Sequence, residues 1–84
     1  MTWTLRRLKE DITEMLAADP EADRVSAFRK AFEESCNLNE IEMPTEEQVK
    51  RALDALVAEG VAQKAGREGY EATYEFMVER EIVE

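Results

Sequence analysis

The sequence predicts an α+β fold on three observations. Apolar residues recur at helical spacing in three successive segments, a glycine closes the third, and a period-2 alternation follows it. With 84 residues the chain can close one hydrophobic core, so residues 1–84 are expected to be a single domain.

Residues 4–18 carry Leu5, Leu8, Ile12, Met15 and Leu16, which fall on one stripe of a helix. Thr2 or Thr4 can cap its start, and Asp19-Pro20 stops it. The connection PEADRV leads to a second stripe over residues 24–35, at Val25, Phe28, Ala31 and Phe32, with Asp23 or Ser26 as the cap. Two asparagines and a proline in CNLNEIEMP then predict a loop over residues 36–44. The third helix, residues 45–59, is announced by a capping box, Thr45 with Gln48. Val49, Ala52, Leu53, Leu56 and Val57 form its apolar face, and Gly60 supplies the terminating residue. A hairpin is predicted over residues 61–79, with VAQKA and YEATYEFMV joined by GREG. Its alternation places Tyr70, Ala72, Tyr74, Phe76 and Val78 against the helices and turns Glu71, Thr73 and Glu75 to solvent.

Charged residues make up 37% of the chain and mean hydropathy is -0.53, which indicates a thin core under a heavily solvated surface. No apolar run approaches the roughly 18 residues of a membrane span, and MTWTLRRLKED lacks the apolar block of a secretory leader. A cytoplasmic location without membrane attachment is the expectation. Cys36 is the sole cysteine, so no disulfide forms within the chain, as suits a reducing compartment.

The residue inventory argues against catalysis. Without histidine and with one cysteine there is no Ser-His or Cys-His pair, no soft-metal cluster and no phosphate-binding glycine loop. Neighbouring acids such as Glu33-Glu34 and Glu46-Glu47 lack the spacing of a calcium loop and read as solvated helix faces. No enzyme activity, cofactor or metal is expected.

Helix, helix, helix, hairpin in this order resembles the winged helix-turn-helix superfamily. The phrase PTEEQVKRALDALVAEGVAQKAGREGYEATYEF carries the resemblance, with its capped third helix, its hand-off at Gly60 and its glycine-bounded turn. The resemblance implies a small winged helix in which the third helix enters the major groove of DNA and the wing tip touches the backbone. It departs from the usual pattern in one respect. The loop before the third helix has about nine residues where a helix-turn-helix uses about three or four.

Net charge is -9, and each of the segments bounded at residues 19, 44, 60 and 79 is negative. For nucleic-acid binding the candidates are Lys50, Arg51, Lys64 and Arg67. Glu46 precedes Lys50, and Glu47 precedes Arg51, by four residues, an arrangement expected to pair both cations. An acidic surface favours a basic protein partner and repels nucleic acid. The leading expectation is therefore a non-catalytic module acting through protein–protein interaction, as an adaptor, an allosteric regulator or a small inhibitor. The runner-up is a DNA-binding transcriptional regulator using the third helix and wing. Leu38, Ile41 and Met43 in the loop, and Ile82 and Val83 at the end of the chain, are the candidate partner contacts, the last two by adding to a partner sheet or a homodimer. Trp3 is expected to cover the open end of the core, and Cys36 to be a small packed residue.

Overall fold

Seven elements follow one another along the chain in a computed structural model that describes residues 3–21 and 23–82, the Asn39 side chain excepted. They are α1 (Leu5–Ala18), β1 (Asp23–Arg24), α2 (Val25–Asn39), α3 (Glu46–Ala58), β2 (Ala62–Ala65), β3 (Gly69–Ala72) and α4 (Tyr74–Glu79). The strands form an antiparallel sheet in the order β1-β3-β2, so the protein is α+β with four helices and three strands among the described residues.

Each helix starts where its side chains permit. The Thr4 hydroxyl accepts the Arg7 N–H at 3.1 Å and caps α1. At α3 the capping box closes in both directions: Gln48 N–H donates to the Thr45 hydroxyl at 3.1 Å, and Thr45 N–H donates to Gln48 Oε1 at 2.8 Å. Gly60, at φ +80°, ends α3 in the left-handed region that disfavours other residues. By contrast, the cap position of α2 is Arg24, which makes no side-chain capping bond, so neither Asp23 nor Ser26 is the cap.

Two expectations are corrected. The first concerns residues 36–39, which continue α2 instead of opening a loop. Phe28, Phe32 and Cys36 recur at intervals of four on one buried face, and packing that face outweighs the weak helix preference of the asparagines. The helix stops at Glu40, at φ 53°, with Ile41 N–H donating to the Cys36 carbonyl at 3.0 Å. The link to α3 is consequently shorter than expected. Trp3 Nε1 donates to the Glu42 carbonyl at 2.6 Å and Arg29 Nε to the Pro44 carbonyl at 3.2 Å, which ties that link to α1 and α2.

The second concerns the hairpin, whose second arm ends at Ala72. Residues 74–79 form α4, so Tyr74 is 63% exposed while Thr73 is buried, the reverse of the strand expectation. Thr73 explains the switch. Its hydroxyl accepts the Phe76 N–H at 3.2 Å as a helix cap and donates to the Gly60 carbonyl at 2.6 Å. Phe76 is buried from the helix, three residues past the cap, just as it would have been from a strand.

The core joins Leu8, Ile12 and Leu16 of α1 to Phe28 and Phe32 of α2, Val49, Leu53 and Leu56 of α3, and Phe76 of α4. Each such side chain contributes about 1.5–3 kcal/mol by leaving water. Tyr70 and Ala72 face this cluster from β3, as the alternation predicts for that part of the arm. Trp3 packs edge-on against Phe32 at 5.1 Å between centroids and covers the end of the core.

Candidate anion-binding groove

The hairpin, the start of α2 and the start of α3 converge on a groove enclosing about 310 Å³. Three local features build it. Gly66, at φ +63°, lets the β2–β3 turn fold tightly and sets Arg67 at its tip. Lys64 stands directly across from Tyr70 in the β2–β3 register, so it shares the helix-facing side of the sheet. Arg24 pairs with Gly69 on the other edge of β3, and this brings the start of α2 to the same place. Lys50, on the exposed face of α3, completes the lining.

Arg24, Lys50, Lys64 and Arg67 thus meet in one concavity, together with the carboxylates of Glu46 and Glu68. Four cations against two acids leave the groove at +2 on a chain of net charge -9. None of the four cations makes an ion pair among the described residues, whereas Arg6, Lys9, Arg51 and Arg80 each hold a carboxylate. The expected Glu46–Lys50 pair is not formed. Glu47–Arg51 is formed, at 3.6 Å, but both side chains are largely exposed and the pair contributes little. With two carboxylates against four cations the groove keeps a net positive charge, which attracts an anion.

Behind Lys64, the Tyr70 hydroxyl donates to Asp54 Oδ1 at 2.8 Å. Burial, and then the hydrogen bond and charge of Asp54, push the Tyr70 pKa up to about 12. Asp54 lies one turn beyond Lys50 on α3, and the bond to Tyr70 directs its carboxylate to the sheet.

Of the cations proposed from sequence, Lys50, Lys64 and Arg67 come together and Arg51 does not. Arg51 lines a separate dimple of about 90 Å³ with Trp3 and Gln48. Arg24 was missed, because only its pairing with Gly69, across a sequence gap of 45 residues, brings it to the groove.

The apolar contact candidates fare differently. Ile41, Met43 and Ile82 are partly buried against the core, and Ile82 N–H donates to the Met77 carbonyl at 2.8 Å. Val83 lies outside the described residues. Leu38 is 85% exposed, but on the last turn of α2 and not in a loop. Among the described residues no helix is long and apolar enough to cross a membrane. Compared with models of known families, with curated proteins and with solved structures, the chain matches none.

Proposed function

We propose that this chain is a winged-helix module that binds the sugar-phosphate backbone of duplex DNA along the groove between α2, α3 and the hairpin, as a non-catalytic regulator. The observation that carries the reading is the convergence of four cations, without ion pairs among the described residues, from three separate parts of a chain that is otherwise acidic. Phosphate neutralisation dominates DNA affinity, and a local basic face is its footprint. In this reading α3 and the hairpin are the recognition helix and wing that the winged-helix resemblance implies, with β1 and α4 added around them.

The net charge of -9 modifies the binding. Four phosphate contacts alone give a slope of about -3.6 in log affinity against log salt. The acidic body repels the duplex over the same distances, and salt screens both effects, so the observed slope is shallower. Titrating a labelled duplex of random sequence at about 50 mM and 200 mM salt tests the reading. Binding tighter than about 10⁻⁴ M at the lower salt, abolished by Lys50→Glu with Arg67→Glu, is expected. A wild-type protein no better than that double variant would overturn it.

A second reading, an adaptor for a basic protein, is favoured by the exposure of Leu38 on an acidic surface. A polylysine peptide is its matching probe. Peptide binding that Leu38→Asp leaves intact, with no duplex binding, would place the partner on the charged surface alone.

A further inference from the structure

We infer that the Tyr70–Asp54 hydrogen bond is the strut that sets the spacing between the two walls of the groove, and so positions the hairpin cations against Lys50. The importance of that spacing for DNA rests on the function proposed above; the strut itself does not.

The two walls belong to different elements. One is α3, which carries Lys50 and, a turn later, Asp54. The other is the hairpin, which carries Lys64 directly across from Tyr70, with Arg67 in the turn between the strands. At the mouth, where the cations face one another, no ion pair links the walls among the described residues. Glu46 and Glu68 share the mouth with those cations, so no net repulsion and no ion pair sets the distance between the walls there. The Tyr70 hydroxyl reaches from β3 to Asp54 at 2.8 Å and joins the two walls at the register position of Lys64. Tyr70 is 4% exposed, so a hydroxyl left without its acceptor is poorly compensated by water. The same bond takes up Asp54, which otherwise stands at the right helical spacing to neutralise Lys50. One hydrogen bond therefore adds a directional tie between walls that already share the core, and it turns the Asp54 carboxylate to the sheet.

Electrostatics alone and the strut make opposite predictions for Asp54. Removing an acid beside a polyanion site should tighten binding; removing a strut should loosen it. Asp54→Ala is expected to weaken duplex binding roughly three- to tenfold, as is Tyr70→Phe. Asp54→Asn keeps an oxygen that accepts from the tyrosine and sheds the charge, so it is expected to bind as tightly as wild type or more tightly. The spacing is read without DNA by spin labels on cysteines introduced at Glu46 and Glu68, which line the groove and leave its cations in place. Cys36 is 1% exposed and does not compete for label. A narrow distance distribution is expected in the parent and in Asp54→Asn, and a broadened or shifted one in Tyr70→Phe and Asp54→Ala. An unchanged distribution in those two variants overturns the inference, as does tighter duplex binding by Asp54→Ala. Broadening in Tyr70→Phe and Asp54→Ala, with a parent that binds no duplex, upholds the strut and overturns the DNA reading.

Discussion

Thr73 and Phe76 share one hydrogen bond, hydroxyl oxygen to backbone N–H at 3.2 Å, and that bond turns the end of the hairpin into a helix. It leaves Phe76 buried and Tyr74 63% exposed, although both belong to the same alternating set in the sequence.

Phe76→Ala should therefore cost about 3–5 kcal/mol, a large share of the stability of a domain this small. Tyr74→Ala, at a side chain 63% exposed, should cost clearly less than Phe76→Ala. Urea unfolding of the two variants separates helix from strand. Equal, large losses would restore the strand.

Thr45→Ala removes the hydroxyl that receives Gln48 N–H. A loss of about 0.5–2 kcal/mol is expected in the same assay. A neutral result would mean that the capping box does not hold the start of α3.

The alkaline limb of stability should belong to Tyr70. Its folded pKa is raised from 10 to about 12, so the native state holds the phenolic proton more tightly than the unfolded chain. The stabilisation is complete below about pH 10 and is lost as pH rises toward 12. Tyr70→Phe should be less stable at neutral pH and show a smaller decline across that window. Melting temperatures at pH 8, 10 and 11 measure it, and parallel profiles would refute the assignment.

Burial raises the Cys36 thiol pKa above its ordinary value, ahead of the opposing influence of Arg7, and its Sγ–H donates to the Glu42 carbonyl at 3.8 Å. A thiol reagent at pH 8 should react with native protein much more slowly than with protein in urea. Equal rates would show that the end of α2 opens freely.

Arg24 and Arg51 offer a direct contrast. Arg24 lines the groove and Arg51 does not, so Arg24→Ala should weaken duplex binding and flatten its salt dependence by about one contact. Arg51→Ala should do neither. Reversed effects would move the binding face to the outer side of α3.

The sequence by itself determined the three main helices, the hairpin turn and most of the core, because these are encoded locally. Helical spacing marks Leu8, Ile12 and Leu16, the Thr45–Gln48 pair marks the start of α3, and Gly60 marks its end. Only tertiary structure decided the length of α2, since burial of Cys36 in the core keeps residues 36–39 helical in spite of their turn-forming asparagines. It also decided that Phe76 is buried from a helix, since period 2 and a cap three residues away place the same side chain inside. The groove was half legible: Lys50, Lys64 and Arg67 are near the start of one helix or in one hairpin, but Arg24 reaches them only through β1–β3 pairing. Ion pairing was legible least. Two carboxylates, Glu46 and Asp54, stand at equal helical spacing from Lys50, yet Asp54 bonds to Tyr70 instead, and Lys50 makes no ion pair among the described residues.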